Sequence, residues 1–171
     1  MINLYIANLG KYNEGYLVGE WISLPVEEDD LQETFDRILE GGYEEVAIHD
    51  FETDINGLDI GEYSDIRELN EIAEELDRFD KDEIQLMNDY IDVTGEFLKV
   101  AMELLDKGEI YYIGVDNVTA LGEYVAEEIG DIQAVPTYLQ QYFDYKAYGE
   151  AWMEDQTGGF VNDRFVYSFN Y

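Results

Sequence analysis

Ile2-Asn3-Leu4-Tyr5-Ile6-Ala7 and, after a link holding Gly10, Asn13 and Gly15, Tyr16-Leu17-Val18-Gly19-Glu20-Trp21-Ile22 are the stretches on which the fold reading turns. Both are rich in β-branched and aromatic residues and are separated by turn formers, so they read as two paired strands. After Pro25, Asp30 to Leu39 carries Leu31, Phe35, Ile38 and Leu39 at helical spacing and stops at Gly41-Gly42. Val46-Ala47-Ile48-His49-Asp50-Phe51 follows as a third strand, and the loop 52–62 closes a first segment, 1–61.

The next segment, 62–107, reads as helical. Ile66, Leu69, Ile72, Ala73, Leu76 and Phe79 make one apolar stripe behind an N-cap at Ser64. Two further helices follow, over 83–90 and 96–105, punctuated by Gly95 and Gly108. The last segment, 108–171, opens with the strand Ile110-Tyr111-Tyr112-Ile113. A helix then turns Leu121, Tyr124, Val125 and Ile129 inward and ends at Gly130, and Pro136 starts a short helix. An aromatic helical stretch precedes a hairpin folded at Asn162-Asp163. The expected class is therefore α+β in three segments: a small antiparallel sheet with a helix, a helical middle, and a sheet with helices, under an acidic surface.

Charge governs the functional reading. Among 171 residues, 41 Asp and Glu face 9 Lys and Arg, a net charge of −32, while 46% of the residues are apolar, enough to build a core. The excess is spread along the chain: 15 acids against 2 bases in 1–61, 15 against 5 in 62–107, and 11 against 2 in 108–171. Such a field repels nucleic acid and anionic membranes and draws in basic partners. Without cysteine the chain has no disulfide, thiolate metal site or cysteine nucleophile. No apolar run reaches membrane-spanning length and the first residues have no basic or apolar signal pattern, so a cytosolic protein is expected.

Catalytic candidates are sparse. His49 is the one histidine and sits in a strand-like context, as a structural residue. Ser23, Ser64 and Ser168 fit no nucleophile pattern, and the glycines around Lys11 do not form a phosphate-binding loop. Asp54-Ile55-Asn56-Gly57-Leu58-Asp59 begins like a calcium loop but puts glycine and Leu58 at the wrong positions, so no metal or cofactor is expected. Carboxylates are numerous enough that hydrolysis of neutral sugars, or a halophilic acidic domain, stand as alternatives.

The acidic stripes say more. Glu68, Glu71 and Glu75 lie on one face of a helix, with Arg67 placed to relieve Glu71 and Arg78 to pair with Glu74; Glu123 and Glu127 repeat the like-charge spacing farther on. With one charge per about 1.7 Å of duplex axis, 32 excess charges correspond to about 54 Å, or about 16 base pairs. Carboxylates on a folded surface standing in for phosphates are dimensionally reasonable.

Particular residues sharpen this. Tyr5 to Gly15, then Leu17-Val18-Gly19 and Trp21, followed by Glu44-Glu45-Val46-Ala47-Ile48-His49-Asp50, resemble the opening of the ArdA antirestriction proteins. Tyr124-Val125-Ala126-Glu127-Glu128-Ile129-Gly130, with Pro136, Leu139-Gln140, Tyr142 and Asp144 to Gly149, resemble that family's antirestriction motif region. After Gly149 the chain departs from the family, with Glu150-Ala151 in place of Arg-Asp, and 62–107 matches in helical character only.

The resemblance implies a curved, elongated homodimer, each chain an elongated row of three small domains, encoded by mobile elements, that binds no nucleic acid or membrane and performs no catalysis. It implies occupation of the DNA groove of type I restriction-modification enzymes, formed by their specificity and modification subunits. On that reading Glu68, Glu71, Glu74, Glu75, Glu123, Glu127, Glu128, Asp131, Asp144 and Glu150 face the partner. The dimer candidates are Tyr138, Tyr142, Tyr145 and Trp152.

Overall fold

A computed structural model describes residues 1–130 and 132–169. The chain divides into two compact units, Met1–Asp80 and Lys81–Tyr171. This break coincides with neither of the divisions expected at 61 and 107, and the helices of the middle segment fall in both units.

The first unit contains β1 (Ile2–Asn8), α1 (Leu9–Asn13), β2 (Gly19–Leu24), α2 (Glu28–Ile38), β3 (Val46–Thr53) and α3 (Ile66–Leu76). The strands form one antiparallel sheet in the order β2-β1-β3. Alternation along the central strand buries Ile2, Leu4 and Ile6, and α2 sets Leu31, Phe35 and Ile38 in the same core. The register slips between Tyr5 and Ile6, where β3 has one extra residue, His49, between the partners of these two positions. His49 meets Tyr12 edge to face at 4.5 Å.

Several local expectations change. Part of the link expected to be turn-rich is α1, one turn of helix capped by Asn8, whose Oδ1 accepts from Lys11 N at 2.8 Å while its Nδ2 donates to Ile38 O at 2.9 Å. Tyr16, Leu17 and Val18 are exposed, and the second strand begins only at Gly19. There a side chain would overlap the Ile6 carbonyl. The cap of α3 is Asp65, which accepts from Arg67 N and Glu68 N; Ser64 accepts from Gly61 N one turn earlier. A carboxylate at the positive helix end is favoured twice over, as acceptor and as anion. Phe79 lies beyond the end of α3 rather than on its stripe.

The second unit contains α4 (Lys81–Thr94), α5 (Leu98–Asp106), β4 (Tyr111–Ile113), α6 (Val118–Tyr124), α7 (Thr137–Gln140), α8 (Tyr145–Glu154), β5 (Gln156–Val161) and β6 (Arg164–Phe169). Its sheet has the order β4-β6-β5, antiparallel throughout. The β5–β6 turn places Asn162 and Asp163 at φ +47° and +59°, as the two-residue hairpin reading requires. Leu121, Val125, Phe165 and Tyr167 form the core with Ile113, and Trp152 packs against it. Tyr90 reaches from α4 to share a buried hydrogen bond with Ser168 at 3.0 Å.

After α6 the backbone widens into a π-turn, Val125–Ile129, with Gly130 N bonded to Val125 O. The inward face expected from α-helical spacing is therefore wrong in part. Leu121 and Val125 are buried, but Tyr124 is 40% and Ile129 55% exposed, and Gly122 and Ala126 take the inner positions. Gly122 and Gly149 permit the close α6–α8 crossing, since a side chain on either would overlap backbone of the opposite helix.

Candidate partner-facing carboxylates

Amphipathic spacing positions the first group: α3 buries Ile66, Leu69, Ala73 and Leu76, which leaves Glu68, Glu71, Glu74 and Glu75 exposed. Glu71, Glu74, Glu75 and Arg78 border one open depression. Arg67 does not relieve Glu71 as expected: its Nε donates to Glu28 on α2 at 2.8 Å and Nη2 to Gln32 at 3.1 Å. A guanidinium longer than the turn that carries it finds a neighbouring helix as easily as its own. Glu74 accepts from Asn70 at 3.1 Å, and Asn70 also clamps both backbone groups of Val26. Arg78 turns back to donate to the Glu75 carbonyl at 3.1 Å.

Glu123, Glu127 and Glu128 are exposed on α6 and the π-turn. Glu68, Glu71, Glu75, Glu123, Glu127 and Glu128 make no ion pair among the described residues, whereas Lys11, Arg37, Arg67, Lys146 and Arg164 are engaged with other carboxylates. Lys11 lies 3.5 Å from Glu14, and Arg37 3.1 Å from Glu20. The Lys11 ammonium is pushed up in pKa foremost by its hydrogen bond with Tyr43, and the Arg37 guanidinium by its hydrogen bond with Glu20. Both cations thus stay charged.

Two further candidates have local duties. Asp144 caps α8 by accepting from Ala147 N at 3.0 Å, and Glu150 lies 3.4 Å from Lys146 one turn back. Asp131 lies outside the described residues.

The aromatic candidates separate. Tyr138 and Tyr142 are 69% and 77% exposed. Tyr145 is half-buried with its ring 5.0 Å from Phe143, and Trp152 lies 5.0 Å from Tyr167 in the core cluster. Tyr167 itself is buried, and burial foremost, then the neighbouring Tyr124 and Tyr111, pushes its phenol up, so it stays neutral.

The described residues hold no group of three or more His, Cys, Asp or Glu disposed to bind a metal ion. None of their helices is long and apolar enough to cross a membrane.

A family model described as antirestriction protein (ArdA) matches residues 4–167. Comparison with curated proteins finds no match.

Proposed function

Because the chain belongs to the ArdA antirestriction protein family, we propose that it acts as a protein imitation of DNA that fills the DNA groove of type I restriction-modification enzymes, at the core built from specificity and modification subunits. The observation that carries this reading is the exposed, internally unpaired set Glu68, Glu71, Glu75, Glu123, Glu127 and Glu128 on a chain of net charge −32. At a rise of about 1.5 Å per residue, Glu68, Glu71, Glu74 and Glu75 place four carboxylates within about 10 Å of helix, near the one charge per about 3.4 Å of a single DNA strand. A groove of lysine and arginine that holds phosphates meets a comparable line of charge here.

The proposal includes a homodimer acting in the cytosol, with Tyr138 and Tyr142 as exposed rings suited to the contact. It includes no turnover: the protein inhibits by occupancy. Adding it to a type I methyltransferase bound to a labelled duplex should release the duplex at near-equimolar ratio. Unchanged DNA binding at large excess removes the reading.

A further inference from the structure

A half-open hollow of about 360 Å³ lies in the first unit among α2, β3 and the start of α3. Phe35, Val46 and Ile48 contribute apolar lining, and Glu44 and Glu62 contribute two exposed carboxylates. The hollow exceeds the roughly 300 Å³ at which small-ligand pockets begin, so one long side chain fits.

Its own cation is committed elsewhere. Arg67 also lines the hollow, but its guanidinium is held by Glu28 and Gln32 and lies 5.5 Å from the centre of the Phe35 ring. Asp65 is occupied as the cap of α3. Glu44 and Glu62 form no ion pair among the described residues; Glu62 accepts a hydrogen bond from Tyr63, whose phenol is pushed up in pKa foremost by the Glu62 charge and then by that bond. A partly apolar lining with two anions that no cation neutralises is complementary to a side chain with an aliphatic stem and a cationic head, which lays the stem on the apolar part while its head stays at the wet edge.

We propose that this hollow receives a lysine or arginine side chain of the partner enzyme, making Glu44 and Glu62 an anchor distinct from the phosphate-like stripes. This rests on the DNA-groove reading for the identity of the partner, because a groove that binds DNA is lined with such side chains. A phosphate on DNA offers the same cation only a charge; the hollow adds contact with the stem. A few desolvated anchors dominate most protein interfaces, whereas rim charges contribute little each.

Two measurements test it. Titrating the full-length protein with N-acetyl-arginine amide and with its neutral citrulline counterpart, and following methyl resonances, should shift Val46 and Ile48 with the arginine compound only. The response should vanish in Glu44→Gln/Glu62→Gln, whose unperturbed spectrum reports that the fold is intact. Equal shifts with both compounds, or shifts scattered over every acidic surface, overturn the assignment. In duplex displacement, Glu44→Gln/Glu62→Gln should weaken inhibition at least tenfold, against at most threefold for Glu127→Gln/Glu128→Gln, which removes the same charge. Equal losses would reduce the hollow to one acidic patch among many. Should the wild-type protein displace no duplex, the function reading fails, while the titration still decides whether the hollow accepts a basic side chain.

Discussion

Asp89 is the one carboxylate in the described residues classed as buried, at 1% exposure. Its Oδ1 accepts from Gln85 at 2.8 Å and from Asn162 of the β5–β6 turn at 3.2 Å, while Oδ2 faces Arg164 at 3.8 Å. One side chain of α4 thus holds the hairpin turn, whose positive φ values already constrain it. Removing it takes away the acceptor of two hydrogen bonds, whose donors Gln85 and Asn162 are exposed and can turn to water, and the anion facing Arg164 across a long contact, so the loss falls below that of a fully buried pair. Asp89→Ala should cost about 2 to 3 kcal/mol in denaturant unfolding, and Asp89→Asn, which keeps the acceptor, about 1 kcal/mol. Equal losses would mean that charge rather than acceptance matters. Gly122→Ala tests packing at the same scale: the new methyl would overlap the Tyr145 carbonyl, a backbone atom that cannot step aside. A loss of about 2 kcal/mol or more is expected. Gly114→Ala, where nothing lies within 4 Å, should stay within about 0.5 kcal/mol.

At the scale of elements, the exposed carboxylates of α3 act against the helix's own stability. Glu68 sits in the first turn, where the helix dipole favours an anion, but Glu71 and Glu75 repel one another a turn apart, with Arg67 drawn away to α2. Glu71→Gln/Glu75→Gln should therefore raise stability by a few tenths of a kcal/mol. The same change should weaken duplex displacement slightly, because each exposed pair with the partner contributes about a kcal/mol or less. Thermal melting and competition read on one variant give the two signs; a fall in both would place these side chains in the fold rather than at an interface. The π-turn makes a related point. Its extra residue moves Ile129 outward while Glu127 and Glu128 stay exposed, so the segment that resembles the antirestriction motif is presented at the surface by a break in helical phase.

For the molecule as a whole, a net charge of −32 makes association dependent on salt. Screening acts over about 10 Å at 0.1 M and lowers the rate of encounter. DNA also releases condensed counterions on binding, so its affinity falls with a log-log slope of about −0.9 per neutralised phosphate. A protein of lower charge density condenses fewer ions and should show a shallower slope. On the proposed function, competition should hold or improve as salt rises, as measured by titrating the protein against a fixed duplex at several salt concentrations. A slope as steep as DNA's would defeat the argument from charge density.

The α+β composition, the strand β1, the stripe of α3 and the Asn162-Asp163 hairpin were legible because each is written locally, in side-chain periodicity or turn chemistry. The family was legible for a related reason: Tyr5 to Gly15 and Asp144 to Gly149 are contiguous runs. What remained hidden depends on partners distant along the chain. Helical periodicity put Tyr124 and Ile129 inside; the structure turns Tyr124 out because the α6–α8 crossing needs Gly122 and Gly149 in contact and selects the phase, and Ile129 out because the π-turn breaks that phase. Spacing assigned Arg67 to Glu71, but α2 brings Glu28 within 2.8 Å, and a charge settles with whichever neighbour the fold delivers. Glu62 gave no signal, and Glu44 none beyond its place in a run that resembles the family; two acids among 41, they are distinguished only once β3 and α3 border the hollow beside them. Amino-acid order by itself determined the charge and its even spread; tertiary packing decided which carboxylates are neutralised and which stay unpaired, because pairing acts over a few ångströms of space rather than a few residues of chain.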